Sequence, residues 1–168
     1  MLFRSGLVGR GMAPEMVVGT ETAWSRALEA LRELAPEAAR HRVVIGVENV
    51  WNRFLVSPLE MRRFLEEVGS PWVMAYLDVG NILRIGYPQD WVRTLGPRIK
   101  RVHVKDFKLA SNTFVGLLEG DIDWKAVVAA FREVNYRGWW TAEVSHNRLV
   151  PEAILWETSR AMDAILAL

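Results

Sequence analysis

The chain has 168 residues, 51% of them hydrophobic, so it can bury the core of one globular domain. Its 21 basic and 20 acidic residues leave a net charge of +1, which gives no electrostatic basis for binding nucleic acid or an anionic membrane. It contains no cysteine, which excludes disulfides and cysteine-ligated metal sites, and without a bilayer-length apolar run or a signal-peptide pattern we expect a cytoplasmic location.

The first 19 residues follow neither a strand nor a helix period. We interpret residues 1–19 as an irregular or non-native lead, either disordered or left over from an earlier strand and loop, and residues 20–168 as the folded domain. Thr20 can cap a first helix, which carries apolar side chains such as Trp24, Leu28 and Leu31 on one stripe.

Four apolar stretches are predicted to form buried strands, and each ends at a side chain that can bind a metal. They are residues 43–48, 72–78, 99–103 and 139–143, which end at Glu48, Asp78, His103 and Glu143. An amphipathic helical stretch follows each strand. The strands are mostly apolar rather than strictly alternating, which is typical of parallel strands covered by helices.

The helical stretches carry their own start and stop signals. Ser57 and Pro58 begin one helix, which Gly69 ends, and another runs from about residue 89 to residue 95. After a polar loop over about residues 108–120, Asp121 or Asp123 caps the next helix. The last helix, residues 151–168, is predicted to turn these side chains toward the core: Ile154, Leu155, Thr158, Met162, Ile165 and Leu166.

This order of elements predicts an α/β fold, a parallel (β/α) barrel of the TIM type. A complete barrel has eight βα units and about 250 residues. The chain provides about four units preceded by one helix, so we expect a half-barrel. An isolated half would leave two unpaired strand edges and an open inner face, and a homodimer in which two copies cover each other would remove both.

Each potential metal ligand, taken alone, has an ordinary structural explanation. Glu48 and Glu143 could each pair with an Arg, Asp78 could form a turn, and His103 could be a hydrogen-bonded core histidine. Four such explanations in consecutive strands would be a coincidence. The strand ends of a barrel meet at one face, and three carboxylates with one imidazole suit one divalent ion such as Mn²⁺, Mg²⁺ or Zn²⁺.

Five segments resemble the sugar phosphate isomerase/epimerase family with the xylose isomerase-like barrel. They are residues 45–51 (IGVENVW), 77–81 (LDVGN), 101–106 (RVHVKD), 117–124 (LLEGDIDW) and 136–143 (YRGWWTAE). The resemblance extends over about residues 20–168 and corresponds to the C-terminal half of such a barrel. Within the family, the sequence is most similar to the pentulose- and hexulose-phosphate 3-epimerase or isomerase branch.

The resemblance implies a metal-dependent enzyme that moves a proton next to a ketose carbonyl through an enediolate. Glu48, Asp78, His103 and Glu143 fall on the metal-ligand positions, and Glu48 and Glu143 also fall on the acid/base pair. The substrate would be a small ketose or ketose phosphate. The residues expected to contact it are Trp51, Asn81, Lys105 and Asn147. Asn81 stands where epimerases of non-phosphorylated ketoses commonly carry His, which favours the phosphate branch.

Two other functions stay open at this point. The chain could be a truncated or non-catalytic barrel fragment that keeps the metal site. It could also be a multi-zinc phosphodiesterase related to the endonucleases that cleave abasic DNA. That second alternative would need more His residues and a basic surface facing DNA, and the sequence has three His in total.

Overall fold

The computed structural model describes residues 2–3, 18–144 and 150–168. The strands are β1 (Leu2–Phe3), β2 (Ile45–Glu48), β3 (Val73–Asp78), β4 (Ile99–Val104), β5 (Asp106–Lys108), β6 (Thr113–Val115) and β7 (Trp139–Ala142). The α-helices are α1 (Thr20–His41), α2 (Pro58–Val68), α3 (Val79–Ile82), α4 (Pro88–Leu95), α5 (Trp124–Glu133) and α6 (Pro151–Ala167), with a 3₁₀ turn over Gly96–Arg98.

The main sheet has five parallel strands in the order β1, β2, β3, β4, β7. β5 and β6 form a separate antiparallel hairpin. Helices connect the successive parallel strands, so all C-terminal strand ends meet at one edge of the sheet. The four predicted strands are all present, and the predicted partial α/β barrel is confirmed.

One face of the sheet packs against the helices and forms the core. Val47, Leu77 and Val102 on this face are at most 1% exposed, and they share one apolar cluster with helix residues such as Phe64 and Val127. Successive side chains of a strand point to opposite faces of the sheet, so every second side chain is buried against the helices. Among the described helices, none combines the length and apolar character needed to span a bilayer.

The opposite face of the sheet is open. Gly46, Tyr76, Arg101 and Thr141 on this face line a cavity of about 480 Å³. At the edge of the sheet, Trp139 on β7 is 71% exposed.

The capping signals around α2 act as predicted. Ser57 Oγ accepts a hydrogen bond from Glu60 N at 3.2 Å, and Ser57 N donates to Glu60 Oε2 at 3.1 Å, which completes a reciprocal capping box. Gly69 ends the helix with a φ of 71°, a left-handed conformation that favours glycine. Of the two Asp proposed to cap α5, Asp123 does so by accepting from Ala126 N.

Several expectations are corrected by the structure. The segment predicted as a polar loop, residues 108–120, contains β6 and the end of β5. Gly19, not Thr20, is the N-cap of α1. Leu155 and Leu166 were predicted to face the core but are 68% and 48% exposed, whereas Ile165, next to Leu166, is fully buried. Residues 2–3 pair with β2 as a short parallel strand, which is compatible with the interpretation of residues 1–19 as left over from an earlier strand; that interpretation stays a prediction.

Candidate metal centre

The structure brings the four predicted metal ligands together at the C-terminal edge of the sheet. Glu48 ends β2, Asp78 ends β3, His103 lies near the end of β4, and Glu143 follows β7. Glu143 N donates to Val104 O at 2.9 Å, so the pairing with β4 continues one residue past β7. One ligand atom from each of the four residues lies within 4.8 Å of the others. Their sharing of an ion remains a prediction.

The imidazole of His103 lies among the three carboxylates. Its Nδ1 is 2.8 Å from Glu48 Oε1, 3.3 Å from Glu143 Oε2 and 3.9 Å from Asp78 Oδ2. The Glu48 and Asp78 side chains are almost entirely buried, whereas the Glu143 side chain is 38% exposed. The site is therefore closed on the β2 and β3 side and reached by solvent beside Glu143.

Two oxygens in this cluster lack the hydrogen bonds that buried polar atoms normally have. Asp78 Oδ2 and Glu143 Oε2 are the buried side-chain atoms, among the described residues, that find no hydrogen-bond partner of acceptable geometry. Buried carboxylate oxygens of this kind are costly unless a cation compensates them. The orphaned oxygens, the carboxylate and imidazole donors and the short spacing all fit a divalent ion.

Lys105 is the positive charge nearest to these two oxygens. Its Nζ is 2.9 Å from Glu143 Oε2 and 3.3 Å from Asp78 Oδ2, so the pairs are close in distance although their angles are poor for hydrogen bonding. Burial raises the pKa of Asp78 to about 6, against the opposing effect of Lys105. Burial would also raise the pKa of Glu143, but Lys105 outweighs it and the pKa is lowered. Burial would lower the pKa of Lys105, yet the two carboxylates raise it.

A set of amide hydrogen bonds, which sequence reasoning missed, joins the ends of β2 and β3. Asn49 Nδ2 donates to Asp78 O at 2.9 Å and Asp78 N donates to Asn49 Oδ1 at 2.8 Å. Asn81 Nδ2 donates to Asn49 O at 2.9 Å, and Asn81 N donates to Asp78 Oδ1 at 2.8 Å. We call these four bonds the asparagine clasp. They join the end of β2 to the end of β3 and hold one oxygen of the Asp78 carboxylate.

The residues predicted to contact substrate have different environments. Asn81 is buried, and its side-chain nitrogen is engaged in the asparagine clasp. Trp51 is 40% exposed; its Nε1 donates to Asn81 O, and its ring stacks on Phe114 with 4.8 Å between ring centroids. Lys105 Nζ lies 4.5 Å from the centre of the Phe114 ring, so Trp51 and Phe114 border the carboxylate cluster. Asn147 lies outside the described residues. The substrate roles of all four remain predictions.

Asp106 is a buried carboxylate outside the four-residue cluster, and hydrogen bonds within the fold satisfy it. It is 0% exposed. Its Oδ2 accepts from Leu118 N at 2.9 Å and Trp124 Nε1 at 3.0 Å, and its Oδ1 accepts from Phe107 N at 2.8 Å. The alternation of Val102, His103, Val104 and Lys105 puts the next side chain on the buried face, a signal that could have identified this role.

The chain is similar to known proteins in sequence and in fold. The sequence profile of the family described as "Xylose isomerase-like TIM barrel" matches residues 6–164. The chain belongs to this family. Among its relatives is the SgbU protein of Escherichia coli K12, which carries the name of an L-ribulose-5-phosphate 3-epimerase and is 28% identical over 152 residues, 83% of this chain and 53% of that protein.

Two further similarities support the same xylose isomerase-like barrel. The D-psicose 3-epimerase of Enterocloster bolteae is 31% identical over 119 residues, 68% of this chain and 38% of that enzyme. The crystal structure of the E. coli 3-keto-D-glucoside 4-epimerase YcjR superposes with a TM-score of 0.79 at 16% identity, over 99% of this chain and 63% of that one. The chain thus spans about half the length, or less, of the curated relatives it matches.

Proposed function

We propose that this chain carries the metal and acid/base residues of a ketose or ketose-phosphate epimerase or isomerase. The observation that carries the proposal is the meeting of Glu48, Asp78, His103 and Glu143 ligand atoms within 4.8 Å. The names of the curated relatives, an L-ribulose-5-phosphate 3-epimerase and a D-psicose 3-epimerase, support the substrate class. Such epimerases invert a carbon next to a carbonyl group.

The four side chains would hold one divalent ion such as Mn²⁺, Mg²⁺ or Zn²⁺. When bound, this ion supplies positive charge beside the oxygens of the ketose and so stabilises negative charge that develops during proton removal. The asparagine clasp orients the Asp78 carboxylate, and burial excludes water from Glu48 and Asp78. The asparagine clasp thus positions Asp78 and takes no part in proton transfer.

Glu48 and Glu143 are suited to the acid/base roles because they come from the two outer strands of the ligand row. β2 and β7 lie on either side of β3 and β4, so a ketose seated over Asp78 and His103 would have one carboxylate on each side. One glutamate can remove the proton and the other can return it to the opposite face, which inverts the carbon. In the metal-free site, Lys105 lowers the pKa of Glu143 and keeps this carboxylate ionised.

Deuterium exchange tests this function directly. Purified protein with Mn²⁺ is incubated in D₂O with D-psicose or with L-ribulose 5-phosphate, and NMR follows deuterium entering at C3 and the appearance of the 3-epimer. We expect exchange with at least one of the two. Glu143→Gln should reduce the rate by about 10²–10⁴-fold, the usual contribution of a positioned acid or base, while Glu152→Gln, at an exposed position on α6, should not change it.

Calorimetric titration with Mn²⁺ separates the alternatives. If the protein binds Mn²⁺ but exchanges deuterium into neither sugar, the result would support the alternative of a non-catalytic metal-binding barrel fragment. Absence of Mn²⁺ binding in the wild-type protein would refute the metal centre itself. Cleavage of an abasic DNA duplex, run as a parallel assay, would instead support the phosphodiesterase.

We further propose that a second half-barrel, in the simplest case another copy of this chain, covers the open face of the sheet. β1 and β7 are the two edges of a wholly parallel sheet, and Trp139 on β7 is 71% exposed. Exposed strand edges invite pairing with another chain. Light scattering coupled to size exclusion should give a mass near 38 kDa, twice the 19.2 kDa of one chain. A monomer at all concentrations would contradict the homodimer.

A further inference from the structure

The position of Lys105 has a consequence for metal binding, which rests on the metal centre proposed above. Its Nζ lies within 3.3 Å of both Asp78 Oδ2 and Glu143 Oε2. These are the two buried oxygens that otherwise lack hydrogen-bond partners among the described residues. A divalent ion held by the four predicted ligands would need the same two carboxylates. The lysine and the ion would therefore seek the same negative charge.

The Lys105 side chain is held in this place by specific packing. A Cβ added to Gly80 in α3 would lie 2.8 Å from Lys105 O and 2.9 Å from Lys105 Cβ and Cγ. Only a residue without a side chain leaves room for the lysine stem at this contact. The side chain is 15% exposed, so the ammonium has given up most of its hydration and depends on the carboxylates.

The aromatic ring of Phe114 gives the ammonium a second favourable contact. Lys105 Nζ lies 4.5 Å from the centroid of this ring, within the range of a cation–π interaction. Phe114 is on β6 and is 36% exposed. An ammonium that leaves the carboxylates but keeps this ring contact would not lose all of its stabilising contacts.

We propose that Lys105 is the internal counter-ion of the metal-free site and competes with the divalent ion for Asp78 and Glu143. In the metal-free protein it neutralises buried carboxylates that would repel one another. On metal binding its ammonium withdraws toward Phe114, because a unit charge and a doubly charged ion at the same oxygens repel strongly in a buried site. Lys105 thus lowers metal affinity while it stabilises the empty fold.

Lys105→Met tests this proposal, since methionine keeps most of the aliphatic stem and removes the charge. Mn²⁺ affinity is measured by calorimetry for the wild type, for Lys105→Met and for Lys100→Met, a control at an exposed position on β4, the strand that precedes Lys105. We expect Lys105→Met to bind Mn²⁺ about tenfold more tightly or better and its EDTA-treated form to unfold at a lower temperature. Lys100→Met should match the wild type in both.

An unchanged or weaker affinity in Lys105→Met would overturn the competition, because it would mean that the ammonium stays and helps to neutralise the loaded site. If the wild type does not bind Mn²⁺, the proposed metal centre fails and this proposal fails with it. Those two results are distinct, since the first requires a wild type that binds.

A second measurement on the wild type does not depend on the variant folding. Reductive methylation, followed by peptide mass spectrometry, reports the accessibility of each lysine amine with and without Mn²⁺. Withdrawal of Lys105 from the carboxylates should make its methylation several-fold faster when Mn²⁺ is present. The methylation rate of Lys100 should be the same with and without Mn²⁺. A Lys105 rate that stays equal or falls on addition of Mn²⁺ would refute the displacement.

Discussion

Replacement of Asp106 by Asn tests whether a buried carboxylate organises the segment between the metal centre and α5. Asp106 is 0% exposed and accepts three hydrogen bonds, from Phe107 N, Leu118 N and Trp124 Nε1. An asparagine at this position keeps one side-chain oxygen and replaces the other by an NH₂ group, which cannot accept a hydrogen bond from the N–H groups that face it. Either the single bond to Phe107 or the two bonds to Leu118 and Trp124 would be lost.

The expected cost of Asp106→Asn is large for a change of one atom. A hydrogen bond to a charged group contributes about 1.5–3 kcal/mol, and an unpaired buried donor costs about 1–3 kcal/mol. Losing one or two bonds should therefore lower the free energy of unfolding by roughly 2–5 kcal/mol. That is a sizeable part of the stability of a domain, which is typically about 5–15 kcal/mol.

Urea denaturation followed by circular dichroism measures the change, with Asp123→Asn as the matched control. Asp123 caps α5 by accepting from Ala126 N, and asparagine caps helices about as well as aspartate. The control should therefore unfold within about 0.5 kcal/mol of the wild type. If Asp106→Asn were as stable as Asp123→Asn, the buried hydrogen bonds of Asp106 would not organise this segment.

Three further predictions concern packing, capping and pH. Gly80→Ala places a Cβ 2.8 Å from Lys105 O, so overpacking should lower the free energy of unfolding, measured in urea, by about 1–3 kcal/mol. Gly86→Ala, whose added Cβ has its nearest contact at 3.5 Å, should leave the free energy of unfolding unchanged. Ser57→Ala removes the capping box of α2 and should cost about 1 kcal/mol in the same assay; no loss would refute the cap's contribution. Burial raises the pKa of Asp78 to about 6, so the folded state binds this proton more tightly than the unfolded state. The EDTA-treated protein should therefore lose stability as the pH rises from about 4 to about 6, and Asp78→Asn should remove that loss; an identical pH profile in both would contradict it.

The predictable part of the fold came from signals that are local in the sequence. The strands that carry Glu48, Asp78 and His103 at or near their ends are predictable because each apolar run leads to a charged or imidazole side chain. Ser57 and Gly69 identified the ends of α2 because each acts on a backbone group within four residues. The clustering of the ligands then followed from the parallel arrangement, in which all strand ends share one edge.

What the sequence did not predict depends on partners far along the chain. Asp106 receives hydrogen bonds from residues 12 and 18 positions away, so these partners could not be inferred from its neighbours, although strand alternation indicates its buried side. Asn49 bonds with Asp78, 29 positions away. Leu155 lies on the apolar stripe of an amphipathic helix, so the sequence predicts that it is buried. Only the three-dimensional arrangement shows that Leu155 is 68% exposed.

The asparagine clasp has a thermodynamic consequence. Asn49 accepts from and donates to the backbone of Asp78, and Asn81 N donates to Asp78 Oδ1. Because Glu48 Oε1 in turn lies 2.8 Å from His103 Nδ1, the Glu48 and Asp78 carboxylates are both ordered when the sheet forms. The conformational entropy of arranging them is lost in folding rather than at the moment an ion arrives. A cation would meet a preorganised pair on this side, and whatever rearrangement accompanies its capture would fall on the more exposed, solvent-facing side chain of Glu143.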